Sequence, residues 1–303
     1  MNETRLNPLN DFLFMKYMGE EGDEEQLLAF LNVVLHKTGN DGIVSVKILD
    51  TRLSADIIGE KAGIMDVRAE MDNGTKVNIE VQLREVGNMD RRSLFYWSRE
   101  YVKGIQAGED YIDLPRVITI NIIDAELLSV NEVHASFHLW EDSHKEYMLT
   151  DILEIHFIDM VKFRRLKKKD IEHNLLHRWL TFFDKNTSEK TIQKIIEMDT
   201  SINKAHKKII SVAQDRDMLR LYEMHEKARY DYTSGINNAT RKGIAIGEER
   251  GEQRGIAIGK QKGMQQARIN YVLKASRKGI SVENIAELTD LSVEEVNHIL
   301  NTN

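Results

Sequence analysis

The sequence predicts a mixed α/β fold, in which an αβββαβ core is followed by a helical region and a glycine-repeat, helical tail. Runs with apolar residues at alternate positions, typical of strands, lie between runs with helical spacing in the first half of the chain. Beyond residue 146 helical spacing dominates, and a glycine repeat follows it. The 303 residues exceed the usual size of one domain, so we expect more than one unit.

Hydrophobic spacing and chain-breaking residues locate the elements of the core in order. The segment DEEQLLAFLNVVLHKTG begins with acidic residues, carries apolar residues on one helical face and ends at a glycine, which predicts a helix. β-Branched content and alternation predict the strands, and DRRSLFYWSREYVKGI has the spacing of a second helix. The predicted elements are a helix at 23–39, a strand at 43–53, a hairpin at 64–85, a helix at 90–105, strands at 115–124 and 135–140, and a further candidate strand at 153–160.

Composition restricts the chemistry and the environment of the protein. The chain has no cysteine, which excludes disulfides and thiolate ligands, so any metal must be held by oxygen or imidazole. The N-terminal segment is broken by charged residues and no run of 18 apolar residues occurs, so we expect a soluble, cytoplasmic protein without a membrane segment. The net charge of −7 argues against a generally basic nucleic-acid-binding protein and still allows a local basic surface.

Composition shifts divide the chain into four predicted segments. They are a core at 1–145, a mostly helical extension packed on it at 146–234, a Gly-xxx repeat at 235–263 and a small acidic helical module at 264–303. The extension contains the basic run VKFRRLKKKD. This run is either a solvated helix end or loop, or a contact for a phosphate backbone.

The tail carries a repeat, because a glycine occurs at every fourth position from Gly243 to Gly263 and GIAIG occurs twice. Four residues overshoot one helical turn by about 40°, so the glycine row winds around a straight helix. The repeat is either a helix that packs closely against another copy or a flexible, charged linker. No lysine or arginine follows Gly279, which argues against a DNA-reading helix and indicates a protein-contact module. We expect a homo-oligomer formed through residues 235–303.

The stretch IMDVRAEMDNGTKVNIEVQLRE contains the clearest candidate for a site. Its apolar residues lie at odd positions on both strands, so one face can be buried only if odd positions pair with odd positions. A three-residue loop that ends in Gly74 gives this register. Asp66 then lies opposite Glu80, with Gln82 next on the same face. Two facing carboxylates suit a hard divalent cation such as Mg²⁺; the alternative is a polar stripe that faces the solvent.

These residues resemble a known family. Asp66 followed by Glu80-Val81-Gln82, on strands after a helix and with RRSLFYWSREY behind them, resembles the PD-(D/E)XK nuclease superfamily and its Rpn (recombination-promoting nuclease) branch. NDFLFMKYMG, LLAFLNVVL and GISVENIAELTDLSVEEV are also similar to that branch, so the resemblance spans nearly the whole chain. It implies a core that hydrolyses DNA phosphodiester bonds with Mg²⁺, for which Mn²⁺ substitutes. It also suggests a separate short regulator made from the tail.

The resemblance implies roles for single residues. Asp66 and Glu80 would bind the metal, and Gln82 stands where the superfamily usually has lysine, so it would orient water or phosphate without supplying charge. An additional acid would be Glu25, with Glu24 as its competitor, although acidic residues are also common at the start of an ordinary helix. The candidates for DNA-phosphate contacts are Arg91, Arg92, Arg99, Lys167, Lys168 and Lys169.

The resulting hypothesis is a Mg²⁺-dependent deoxyribonuclease, an endonuclease that promotes recombination or acts in mobile-element or phage defence. One alternative is a catalytically weak or inactive DNA-binding or regulatory protein, for which Gln82 gives a reason. Another alternative is an interaction protein in which the oligomerising tail is the main functional part.

Overall fold

A computed structural model gives the fold and describes residues 5–37, 39–50, 66–83, 87–106 and 108–302. The chain divides into two compact units, Met1–Ala228 and Arg229–Asn303. The end of the predicted strand 43–53 and both ends of the predicted hairpin 64–85 lie outside the described residues. The predicted segment boundaries at 145, 234 and 263 stay predictions.

The described residues of the first unit form one mixed sheet with helices around it, so the predicted fold class is confirmed. The strands are β1 (Val46–Leu49), β2 (Val67–Met71), β3 (Lys76–Gln82), β4 (Val117–Ile123), β5 (His134–Trp140) and β6 (Met148–Asp159). The α-helices up to the long helix that leads into the second unit are α1 (Asp11–Met18), α2 (Glu24–Val34), α3 (Met89–Val102), α4 (Met160–Arg165), α5 (Leu175–Phe183), α6 (Glu189–Met198), α7 (Thr200–Gln214) and α8 (Arg216–Arg277).

The strand order β1-β2-β3-β4-β6-β5 determines where a site can form. β3, β4 and β6 are parallel neighbours, whereas β1, β2 and β5 pair antiparallel. The carboxyl ends of the three parallel strands, at Gln82, Ile123 and Asp159, therefore lie along one edge of the sheet. In α/β sheets this is the edge at which ligands usually bind.

The predicted hairpin register is confirmed. Glu70 pairs with Lys76 and Arg68 with Asn78, and Gly74 closes the turn with a φ of 79°. This positive φ is the left-handed conformation that glycine adopts without a Cβ clash. Apolar positions of both strands therefore share one buried face, as the alternation requires.

Both faces of β3 are covered, which alternation alone did not predict. On one face the apolar residues of the hairpin and of β4 belong to a core with α1, α2 and α5, where the rings of Phe30, Trp179 and Phe183 lie 5.4–5.6 Å apart. On the other face lies α3, and the β3 residues Asn78 and Glu80 are only 0% and 2% exposed. The polar stripe of β3 therefore does not face the solvent.

Two elements differ from the sequence expectation. The segment NDFLFMKYMG contains a separate helix, α1, in which Asn10 caps the N-terminus by accepting a hydrogen bond from the Leu13 amide at 3.1 Å. α1 has apolar residues at most positions, so it lacks the one-sided spacing by which helices are recognised. β6 begins at Met148, five residues before the candidate strand at 153–160. These additional residues are partly exposed, and they pair with the end of β5.

The second unit contains the rest of α8, α9 (Val282–Thr289) and α10 (Val293–Thr302). The described glycine repeat lies within α8, so the structure has it as helix. The buried apolar residues Val272, Ile285 and Val296 form a small core at the end of α8. Among the described residues, no helix is long and apolar enough to cross a membrane.

Gly19, the C-cap of α1, approaches the strand that begins after Asp66. A Cβ at Gly19 would lie 3.0 Å from Val67 Cγ2 and 3.4 Å from the Asp66 carbonyl oxygen. We expect Gly19→Ala to lower the free energy of unfolding by about 1 kcal/mol through overpacking. Gly87→Ala is the matched control, since no atom of the described residues lies within 4 Å of a Cβ there. Urea denaturation measures both variants, and equal stability of the two would contradict the close approach.

Candidate active site

Asp66 and Glu80 come together at the end of the hairpin nearest the carboxyl edge of the sheet. Asp66 precedes β2, and its Oδ2 accepts a hydrogen bond from the Val81 amide at 2.6 Å. Glu80 lies on β3 and faces α3. Extending the observed register by one pair places Asp66 opposite Glu80, as the alternation predicted.

Burial strongly raises the pKa values of this carboxylate pair. Desolvation raises the pKa of Asp66 to about 7; the hydrogen bond from Val81 opposes this rise, and the charge of Asp11 adds to it. Desolvation also raises the pKa of Glu80 to about 8, with a further rise from the charge of Asp66. Two buried like charges disfavour each other, so burial and mutual repulsion favour protonation of the pair.

Arg92 is the cation that the protein itself supplies. Its Nη2 lies 3.1 Å from Glu80 Oε2, and its Nη1 donates to Gln82 Oε1 at 3.3 Å. Its guanidinium carbon also lies 5.2 Å from the centroid of the Tyr96 ring. Arg92 therefore contacts two of the three residues that the sequence identified as catalytic.

α3 holds Arg92 in this place through contacts with β4. Ser93 Oγ donates to Asn121 Oδ1 at 2.8 Å, and Trp97 Nε1 donates to the Val117 carbonyl at 3.0 Å. These two bonds lie one helical turn apart and attach the same face of α3 to one strand. Trp97 is thus an anchor of the helix.

The site residues fit a divalent cation by their chemistry. Glu80 Oε1 is buried without a hydrogen-bond partner among the described residues, which is costly for a carboxylate oxygen unless a ligand completes it. With Asp66 and the Gln82 amide oxygen it offers a set of oxygen donors of the kind that Mg²⁺ prefers. In the described part of the chain no group of three or more His, Cys, Asp and Glu residues is arranged to hold a metal. The fit therefore rests on the two carboxylates.

Asp11, the first residue of α1, is an acid whose charge contributes to the raised pKa of Asp66, and the sequence does not single it out. It acts electrostatically on Asp66, and its Oδ1 lies 3.1 Å from His225 Nδ1. The apolar residues of α1 lie at most positions, so the sequence predicts no helix there and no place for an acid at its N-terminus. Position at the start of a helix is the available sequence signal, and it favours Glu24 and Glu25 of α2.

The structure places Glu25 elsewhere. Its side chain is 51% exposed and forms an ion pair with Lys204 of α7. Glu24 Oε2 accepts a hydrogen bond from the Gly22 amide at 2.9 Å. Both therefore make the local contacts that are common for acidic residues at a helix start.

The other two predicted arginines, Arg91 and Arg99, also lie on α3. Arg91 is exposed, and the Arg99 guanidinium carbon lies 5.8 Å from the centroid of the exposed Phe95 ring. Cationic and aromatic side chains thus occupy the accessible side of the helix that lies over Glu80. Such a mixture suits contacts with phosphates and with unstacked bases.

The basic run starts at the same edge of the sheet. α4 follows β6 directly, and Arg164 of α4 pairs with Asp124, whose amide donates to the Gln82 carbonyl at 2.8 Å. Lys167 and Lys168 are exposed, whereas Lys169 lies 3.8 Å from Asp184. The first two lysines are therefore the accessible cations of the three.

Comparison with known families is consistent with this geometry. The family described as PD-(D/E)XK nuclease family transposase matches residues 8–239, which is most of the chain. The chain belongs to this family. No curated protein and no solved structure matches the chain significantly. The match is consistent with an Rpn-like member, and PD-(D/E)XK nucleases generally use divalent metals.

Gln82 departs from the PD-(D/E)XK pattern, and a neighbouring arginine supplies the charge that glutamine lacks. The superfamily usually has lysine at this position, and glutamine carries no charge. Here the Arg92 guanidinium lies against the Gln82 side chain, so a positive charge is present beside the third motif position.

The raised pKa values of the acid pair predict a pH-dependent stability. The two carboxyls titrate near pH 4 when unfolded and near pH 7 to 8 when folded, so the folded state binds more protons between these values. Stability of the metal-free protein therefore falls as pH rises through this range. In EDTA, we expect the unfolding midpoint to drop by at least about 3 °C between pH 5.5 and pH 8.5, roughly the effect of 1 kcal/mol. Asp66→Asn/Glu80→Gln should flatten this dependence in differential scanning fluorimetry; an equally steep curve would contradict the perturbed pair.

Proposed function

We propose that this PD-(D/E)XK protein is a divalent-metal-dependent DNA endonuclease that hydrolyses phosphodiester bonds. The observation that carries the proposal is the buried pair Asp66 and Glu80, with an unpartnered oxygen on Glu80, at the carboxyl edge of the parallel strands. Mg²⁺ is the proposed ion, with Mn²⁺ as a substitute, because both favour oxygen ligands.

Four side chains have roles in the proposed reaction. Asp66 and Glu80 would hold the ion, which when bound supplies charge stabilisation at the phosphate and a more acidic water. Gln82 would orient the attacking water or the phosphate through its amide, and Arg92 would provide positive charge for the phosphate. The water oxygen bonds to phosphorus and releases a proton to the solvent, the bond to the leaving sugar oxygen breaks, and that oxygen takes up a proton from the solvent.

Asp11 replaces Glu25 as our proposed additional acid. Its negative charge acts on Asp66, whereas Glu25 is already paired with Lys204. A third negative charge that acts on Asp66 would strengthen the attraction of a divalent cation to the pair.

DNA is proposed to lie along the edge formed by α3 and α4. Arg91, Arg92 and Arg99 come from α3, and Lys167 and Lys168 follow α4. A local basic surface of this kind allows an acidic protein to bind a polyanion, with an affinity that falls as salt rises. The family description as transposase supports a role in DNA recombination or mobile-element function.

The tail is proposed to associate with a second copy through one face of α8 centred on Gly251. At 100° per residue, Gly247 and Gly255 lie within about 40° of Gly251, and Ile244 and Ile258 within about 20°. Both isoleucines are exposed, and the glycines have open space around them. Rows of small residues at spacings of four allow two helices to approach closely.

Charge at the edges of this face favours a parallel pair. Glu248 and Glu252 lie on one edge, at about 60° and 100°, while Arg254 and Arg250 lie on the other at the mirror angles. In a parallel pair the acidic edge of each copy meets the basic edge of the other. In an antiparallel pair like charges would meet, so edge charges select the orientation.

The cleavage prediction compares two glutamates of the same hairpin. Glu80→Gln should lower cleavage of supercoiled DNA in Mg²⁺ at least about 100-fold, the upper end of losses seen even for residues behind metal ligands. Glu70→Gln is the matched control, because Glu70 pairs with Lys76 at 2.6 Å in the same hairpin. Nicking gels with Mg²⁺, Mn²⁺, Ca²⁺ and EDTA measure the cleavage rate of each variant.

Two results would reject the nuclease proposal. One is full activity of Glu80→Gln or of Asp66→Ala, and the other is cleavage that persists in EDTA. DNA binding without any metal-dependent cleavage by the unaltered chain would favour the alternative of an inactive DNA-binding protein.

The association prediction compares two substitutions to leucine on opposite sides of α8. Gly251→Leu should fill the contact face and shift the full-length chain toward monomer in sedimentation velocity. Gln253→Leu, about 160° away on the helix, should leave the mass unchanged. Leucine favours helix over glycine by nearly 1 kcal/mol, so lost association would not reflect a lost helix. A monomeric unaltered chain, or equal effects of both variants, would contradict the proposal.

A further inference from the structure

The accessible side of α3 carries a stripe in which one aromatic residue lies between two arginines. Arg91, Phe95 and Arg99 are four residues apart, so each lies within about 40° of the next around the helix axis. Phe95 is 43% exposed, and the Arg99 guanidinium carbon lies 5.8 Å from the centroid of its ring. Arg91 is exposed as well. The stripe therefore presents an aromatic ring to the solvent between two cations.

This stripe runs beside Arg92, which contacts the proposed site. Arg92 Nη2 lies 3.1 Å from Glu80 Oε2, and Phe95 follows Arg92 by three residues on the same helix. The ring therefore belongs to the next turn of α3, at about 60° from Arg92 around the axis. A nucleic acid with one phosphate at Arg92 thus has its neighbouring nucleotide beside the stripe.

The attachment of α3 to the sheet fixes the direction in which Phe95 points. Ser93 Oγ donates to Asn121 Oδ1 at 2.8 Å, and Trp97 Nε1 donates to the Val117 carbonyl at 3.0 Å. Ser93 and Trp97 both lie about 160° from Phe95 around the helix. Phe95 therefore faces away from the sheet, and its backbone is already held in place before any ligand binds. Such preorganisation lowers the entropy cost of binding.

The chemistry of a phenylalanine ring restricts what it recognises in DNA. The ring has no hydrogen-bonding group with which to read the edge of a base, but its face stacks on any base. Between the ends of a duplex, the base faces are already stacked on each other and only the edges are accessible in the grooves. The ring therefore requires a base that has left the duplex. Arginines on both sides suit the phosphates that flank such a base.

We propose that the substrate is DNA with unpaired bases beside the scissile phosphate, as in a bubble, and that Phe95 stacks on one of these bases. This inference rests on the proposed nuclease function. The arginines bind phosphates of paired and unpaired DNA alike, whereas the ring contributes only where a base is unpaired. Phe95 is thus the residue that determines the substrate class.

The test compares two DNA molecules of equal length, a fully paired duplex and the same duplex with a central bubble. Fluorescence anisotropy with the full-length chain in EDTA, at one salt concentration, measures the affinity for both without metal-dependent cleavage. We expect the unaltered chain to bind the bubble at least about fivefold more tightly, the lower end of what one stacked base contributes. In Mg²⁺, cleavage should fall within or next to the bubble.

Two substitutions at Phe95 separate stacking from apolar bulk. Phe95→Leu keeps an apolar side chain without a π face, and Phe95→Tyr keeps the ring. Phe95→Leu should lose the preference for the bubble and keep the affinity for the duplex, whereas Phe95→Tyr should keep both. The thermal midpoint of each variant shows that it folds.

Two further variants serve as controls. Arg91→Gln removes a phosphate contact and should weaken the binding of both DNA molecules by the same factor. Phe137→Leu is the matched control for the ring, because Phe137 is 42% exposed and lies on β5, the last strand of the sheet. It should change neither affinity.

Equal affinity of the unaltered chain for the two DNA molecules would overturn the inference. A preference for the bubble that survives in Phe95→Leu, or that is lost equally in Phe95→Tyr, would overturn it too. The nuclease proposal fails on different evidence, namely cleavage that persists in EDTA or in Glu80→Gln. A chain that prefers the bubble through Phe95 and cleaves no DNA would support recognition of unpaired bases and reject the nuclease proposal.

Discussion

Burial of two like-charged carboxylates beneath α3 is the constraint on which the site depends. Desolvation and mutual repulsion disfavour the doubly ionised pair, and the described residues oppose them with one amide donor, from Val81, and one guanidinium, from Arg92. These two groups leave Glu80 Oε1 without a partner. Protonation relieves this deficit, and a divalent cation would satisfy it better because it brings two charges to the same oxygens.

Arg92 brings a positive charge beside the uncharged side chain of Gln82. Gln82 cannot neutralise a phosphate, but the guanidinium that contacts its amide comes from α3, which β4 holds through Ser93 and Trp97. Guanidinium is planar and stays charged at all relevant pH values, so it binds Glu80 and Gln82 together in a way that an ammonium would not. The positive charge therefore enters from a helix instead of a strand, and its position depends on how that helix is anchored.

Local patterns predicted the fold class and the acid pair because these follow from short-range rules. Alternation and a three-residue turn determine the register that sets Asp66 beside Glu80, and no distant residue is needed. The contact of Arg92 with Glu80 requires α3 to fold back over β3, so the sequence identified the arginine without its partner. Asp11 was missed because the apolar residues of α1 show no one-sided spacing. His225 lies 214 positions from Asp11, beyond the reach of any local pattern.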